Sequence, residues 1–276
     1  MTYNYVSPSK FWELFTKTYK DEITRLQVGE CMGPFSLKSV AEILRVRVRK
    51  APDIVSLTTL SALPSILRLQ GLYVIRIGQR RYGGAGFIVC KASRNYEREA
   101  FRYRDILTKK PDLTIPFSND MWLRLSRISG EALAASAALK TIGFLHDMSY
   151  MIPQYRGGSS RFRFMVCGAG PTYDYWGQVE VDAAIFGDPD LLYVVEAKKS
   201  VGLNDGLFKY KIAFSMQALA NILGVKTRGV IAIKHGQGRN EDVRIAILEP
   251  PAQPANTIVI NNLKVELIAD VKPISL

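Results

Sequence analysis

Cysteine and histidine are scarce in this chain. Its three cysteines, Cys31, Cys90 and Cys167, lie far apart and form no CxxC pair, and only His146 and His235 stand by to help them. That supply argues against a disulfide framework and against a structural zinc site. Long apolar runs are missing too, since no stretch approaches the roughly 18 to 20 residues that a membrane helix needs. Residues 1–15 lack the basic-then-apolar layout of a signal peptide. The expectation is a soluble, unsecreted, cytoplasmic protein with no membrane partner. No internal repeat is visible. What the chain does have is material for a core, with 47% apolar against 22% charged residues in a length of 276, enough for one large domain or two modest ones.

Negative charge is short in the first half. The whole chain carries +12, and residues 1–130 hold 22 basic and 11 acidic side chains against 15 and 14 in residues 131–276. So lopsided a balance suits a surface that neutralises phosphates, because each phosphate contact releases condensed counterions. A generically basic, solvated surface is the plainer alternative.

Apolar spacing between Phe11 and Leu69 is mostly helical, as in Phe11, Phe15, Tyr19 and again Leu60, Leu63, Leu67. Residues 73–77 then read as a strand, residues 79–86 as a glycine-bearing loop and residues 87–90 as a return strand. Helices followed by a small hairpin is the order of a winged helix. If residues 45–50 are extended, Arg45, Arg47 and Arg49 share one face. Such a comb either tracks phosphates or reaches guanine edges, or it is a solvated edge strand or helix end. Gln79, Arg80 and Arg81 on the loop are further DNA-binding candidates. A proline-bearing linker at residues 111–119 divides a basic, mainly helical region, 1–125, from a second region, 126–276.

The second region reads as helix (131–145), strands (161–167, 178–186 and 191–197), helix (206–223) and two more strands (229–233 and 243–248). The tail adds a hairpin around Asn261. This is an α/β arrangement with a mixed sheet. On the second strand the period of two sends Glu180 and Asp182 to one face; on the third it sends Glu196 and Lys198 to one face at the end of an apolar run. Charges there are costly unless paired or bound to a metal. A short turn makes the two strands neighbours, so Asp182, Glu196 and Lys198 converge. Two hard carboxylates suit Mg²⁺, and an adjacent amine can position or deprotonate a water.

Asp182, thirteen intervening residues and then Glu196-Ala197-Lys198, set in an αβββαβ order, resemble the PD-(D/E)xK nuclease superfamily, which includes type II restriction endonucleases and archaeal Holliday junction resolvases. The resemblance spans roughly residues 129–235. It implies a restriction-endonuclease-like core in which Asp182 and Glu196 bind Mg²⁺, or Mn²⁺ in its place, while Lys198 assists the attacking water. The literal Pro189-Asp190 is a decoy, since Asp190 lies too close to Glu196 to sit on a neighbouring strand, and Val181 stands where the family has proline. Glu131, on the helix before the strands, is either a further catalytic or second-metal ligand or a carboxylate favouring a helix N-terminus. Gln217 occupies the position of a polar helper, and Lys209 and Lys211 either contact phosphate or are solvated.

The expected function is therefore a type II site-specific deoxyribonuclease, cutting double-stranded DNA at a short sequence, with a cognate methyltransferase elsewhere in the same system. The alternative is a structure-specific repair or Holliday junction nuclease. A homodimer would give each antiparallel strand its own site, with residues 173–176 or the tail from Asn256 as interface.

Overall fold

The computed structural model describes residues 3–78, 85–146, 150–156, 159–199, 201–236 and 241–274. Gln79, Arg80 and Arg81 lie outside them. The first half runs α1 (Pro8–Thr18), α2 (Lys20–Arg25), β1 (Cys31–Ser36), α3 (Leu37–Ile43), α4 (Ala51–Val55), α5 (Ser65–Leu69), β2 (Leu72–Gly78) and β3 (Gly86–Lys91). Then come β4 (Ala100–Arg102), α6 (Tyr103–Thr108), β5 (Leu113–Phe117) and α7 (Asn119–Ile128). Ser7 starts α1 by accepting from Lys10 N at 3.2 Å, and Phe11, Trp12 and Phe15 are fully buried against Phe87 of β3. This half is less helical than expected. The strand β1 was hidden by its Gly33-Pro34 pair, which a strand tolerates at a sheet edge, the place β1 occupies.

The second half runs α8 (Gly130–Leu145), β6 (Tyr150–Arg156), β7 (Ser160–Met165), β8 (Thr172–Gly177), β9 (Glu180–Asp188), β10 (Leu191–Lys199), β11 (Gly206–Phe208), α9 (Lys209–Leu223), β12 (Lys226–His235), β13 (Asp242–Glu249), β14 (Ile258–Val259) and β15 (Lys264–Pro273). Among the described residues these strands make a seven-stranded sheet, β5-β15-β13-β12-β10-β9-β6, and a six-stranded sheet, β1-β3-β2-β8-β7-β14, with β4 and β11 as a separate pair. The protein is thus mixed α/β. In the larger sheet β6, β9 and β10 are successive antiparallel neighbours, and α9 carries the chain over to β12, parallel to β10.

Three expectations are corrected. The strand near 161–167 belongs to the smaller sheet, because Phe162 and Phe164 stack on Tyr175, Tyr173 and Phe214. Its place beside β9 is taken by β6, whose Pro153 concealed it and whose edge position accommodates a proline. The tail makes no hairpin at Asn261, since β14 pairs with β7 and β15 lies between β13 and β5. Cys31 and Cys90, expected to stay apart, face each other across β1 and β3 and are bonded, S–S 2.08 Å. Residues 59 apart in sequence meet only through the strand pairing, which spacing alone does not reveal.

The expected boundary at 125/126 does not coincide with a gap in packing. One core runs from Phe11 through α9 to Leu263, and a second, smaller one lies under α7 and α8 on the other face of the seven-stranded sheet. Across that sheet, buried Arg244 of β13 pairs with Asp270 of β15 and donates to the carbonyls of Ile106, 2.8 Å, and Lys109, 2.6 Å, which fastens the end of α6 to the second half. The two aromatic or tail segments suggested as interfaces pack internally: Tyr173 and Tyr175 are buried, and β15 is paired on both sides.

Candidate active site

The site forms where β9 and β10 leave their ladder. Register runs from Leu192 opposite Phe186 to Val195 opposite Ala183. Beyond that pair, the Ala197 N–H donates to Asp182 Oδ2 at 2.7 Å, so a side chain takes the place of the next backbone partner. Ala183, Val195 and Ala197 pack under α8, whereas Ala184 and Val194 belong to the core that includes α9. Alternation then sends Asp182, Glu196 and Lys198 to the α9 side. The arrangement follows from the sequence: the odd and even positions of two apolar strands are both needed for cores, and the charges fall where the inner phase ends.

Glu196 is buried, with 5% of its surface exposed, and is held from both sides. Lys198 Nζ donates to Oε1 at 2.7 Å, and Lys211 Nζ, from α9, lies 3.7 Å from Oε2. Lys211 also donates to the Glu180 carbonyl at 3.3 Å, as does Ser215 one turn further along α9. Asp182 is open to solvent on one side, yet packing around its carboxylate raises its pKa, and the neighbouring Glu196 charge adds to that. The Ala197 N–H, Lys198 and Lys211 pull the other way without cancelling it. For Lys198 burial works to lower the pKa, but Glu196, through charge and hydrogen bond, with Asp182 and Glu131 beyond, raises it overall. Lys198 is accordingly an ammonium at neutral pH.

Of the residues singled out from sequence, Asp182, Glu196 and Lys198 are brought together. Glu131 sits exposed in the first turn of α8, where Ser129 caps the helix by accepting from Ala132 N at 2.9 Å; its charge is felt at Lys198. Asp190 is exposed in the β9–β10 turn, at the other end of β10. Gln217 is wholly buried and donates to the Gln253 carbonyl and to Asn221, both at 2.9 Å, so it anchors the tail rather than facing the carboxylates. Lys209 is buried over the Phe101 ring at 5.2 Å, and burial lowers its pKa to about 8; it is neither solvated nor free to meet phosphate. Arg45, Arg47 and Arg49 are all exposed while Val46 is buried, although Arg45 occupies a turn with φ 56° rather than the extended run.

Sequence reading undervalued Lys211 and missed Ser215, whose i, i+4 spacing on α9 was the available signal. It also missed Tyr103 of α6, a buried hydroxyl with no hydrogen-bond partner among the described residues, whose pKa is raised by burial, then by Asp205 and Glu196. Among the described residues no three of His, Cys, Asp and Glu are gathered as a ready metal cage. Two carboxylates do suffice for a hard cation that keeps waters and takes further oxygens from a phosphate. No helix among the described residues is long and apolar enough to cross a membrane.

No protein-family model matches the chain, and no curated protein matches it. A solved structure described as "Crystal structure of SSO0001" is similar at 14% identity over 56% of this chain and 74% of that one, with a TM-score of 0.21, too low to carry an argument.

Proposed function

We propose that this chain is a Mg²⁺-dependent endonuclease with a restriction-endonuclease-like core, cutting both strands of duplex DNA at a short specific sequence. The observation that carries the reading is the 2.7 Å bond from the Ala197 N–H to Asp182, which sets Asp182 beside the Glu196–Lys198 end of β10. The order α8, β6, β9, β10, α9, β12 supports it as the αβββαβ arrangement of that core, with β7, β8 and β11 inserted. In the first half, β1, α3, α5, β2 and β3, with the sheet order β1-β3-β2, support a winged-helix reading of the region proposed to recognise DNA.

Asp182 and Glu196 are the groups that would hold Mg²⁺, which supplies charge stabilisation for the phosphate and acidifies a bound water. Glu196 is pre-set for this by Lys198 and Lys211, which hold its two carboxylate oxygens in position. Lys198 owes its raised pKa to Glu196. With its Nζ 2.7 Å from Glu196 Oε1, Lys198 would stand beside a cation held there and is placed to orient the attacking water. Lys211, beside Glu196 and the Glu180 carbonyl, is a donor placed for the phosphate. A twofold dimer on DNA would place one such site on each strand.

Incubating plasmid DNA with the protein and Mg²⁺ tests the reading. Discrete fragments are expected. Cleavage confined to junctions or flaps, with no discrete fragments from plasmid, would replace sequence-specific cutting with structure-specific cutting, and no cleavage under any divalent metal would overturn it.

A further inference from the structure

The chain's first described residues lie against the arginine run and add an aromatic ring to the surface from which DNA recognition is expected. Val6 N donates to the Arg47 carbonyl at 3.0 Å and Arg47 N to the Asn4 carbonyl at 2.9 Å, so residues 4–6 lie alongside the arginine run, with Tyr5 bridged to Arg47. Val46 is buried beneath this pairing and Arg47 and Arg49 stand outside it. Tyr5 is 59% exposed, a large value for a ring so placed, and the Arg49 guanidinium lies 5.7 Å from its centroid.

Two cavities adjoin that ring. One, of about 460 Å³, has the apolar side chains Leu37, Ala41, Val46 and Ala85 in its walls together with Tyr5, and takes Lys38 and Arg47 as its cations. The other, of about 290 Å³, is bounded by Tyr5, Arg49 and Lys50. Across both, these four cations face two acids, Glu42 and Asp53. An exposed ring beside a guanidinium, above an apolar recess and among cations, matches a nucleotide: a flat apolar face for the ring and a phosphate for the arginines. Paired bases in a duplex hide their faces within the stack, so the ring can stack only on a base that has left it.

We propose that Tyr5, with Arg47 and Arg49, is a binding site for an unpaired nucleobase and its flanking phosphates. It rests on the nucleic-acid part of the preceding reading and adds a preference for DNA in which at least one nucleotide is out of the helix.

The test uses the full chain in EDTA, where no cleavage occurs, with 2-aminopurine placed in a single strand, at a one-nucleotide bulge and within a fully paired duplex. Quenching is expected in the first two. Tyr5→Ala should abolish it and weaken both by about tenfold, while Tyr5→Phe retains them and the fully paired duplex changes by less than about twofold. Tyr5→Leu, which keeps apolar bulk in the segment, should match Tyr5→Ala in binding with an unchanged melting temperature. Wild-type quenching by Tyr5→Ala, equal losses for paired and unpaired DNA, or a Tyr5→Leu protein that binds like wild type would each overturn the proposal. Binding without metal is independent of Asp182 and Glu196, so an absence of nuclease activity would leave this result readable by itself.

Discussion

Asp182 shows at the scale of one residue how a carboxylate packed beside another opposes stability. Its carboxyl holds a proton more tightly in the folded chain than in the unfolded one, chiefly through burial and then Glu196. Above the ordinary carboxylate range the folded state therefore binds more protons than the unfolded state, and stability falls as pH rises through that window. Asp182→Asn keeps an acceptor for the Ala197 N–H and removes the charge. In the absence of divalent metal it should melt higher than wild type at pH 7, with the gap closing as pH is lowered to about 4, the ordinary aspartate range. Calorimetry across that range checks the sign; a variant that melts lower at pH 7 would remove the argument. The convergence of Asp182, Glu196 and Lys198 was legible because a period of two is short and strict, and it put them on one face of neighbouring strands. Lys211 was ambiguous because its contact depends on how α9 lies over the sheet, which spacing within the helix does not fix. Gln217 was misplaced for the same reason.

At the scale of elements, proline hid two of the overlooked strands, while β4, β8 and β11 were missed though they carry none. β1 and β6 carry Pro34 and Pro153 and were not read, whereas the uninterrupted β9, β10, β12 and β13 were placed to within a few residues. Sheet membership was less legible still: Arg161–Cys167 was a strand, but its aromatic neighbours Tyr173, Tyr175 and Phe214 drew it to the smaller sheet. Among the described residues that sheet crosses from first half to second at one place, Gly78 of β2 beside Trp176 of β8. Gly78 has φ +106°, and a Cβ there would sit 1.7 Å from the Trp176 carbonyl oxygen. Gly78→Ala should cost about 2–4 kcal/mol, the range for a side chain forced into backbone at a left-handed position. A lower urea midpoint is the expected result, and an unchanged midpoint would mean the crossing contributes little.

At the scale of the molecule, the charge asymmetry places most of the electrostatic attraction for a polyanion in residues 1–130. Replacing Arg47 and Arg49 together should weaken DNA binding and flatten its dependence on salt by up to about one unit of slope for each phosphate they neutralise. Binding titrated at several salt concentrations would show it, and an unaltered slope would remove these arginines from the interface. Fold class was readable from the alternation of helices and strands, but the union of the halves was not. Their union depends on Arg244 donating to the Ile106 and Lys109 carbonyls and on Tyr210 of α9 donating to the Leu57 carbonyl, partners more than a hundred residues away.

The central claim is that Asp182, Glu196 and Lys198 form a phosphodiester-hydrolysing centre. Its most direct test is plasmid cleavage in Mg²⁺ by wild type, Asp182→Asn and Asp190→Asn side by side, each first shown to be folded by its melting curve. Wild type and Asp190→Asn are expected to cut at similar rates, and Asp182→Asn to slow by at least about 100-fold, the scale on which removing one charge-stabilising group slows a reaction. Cleavage by Asp182→Asn at the wild-type rate, or its loss in Asp190→Asn alone, would contradict the claim.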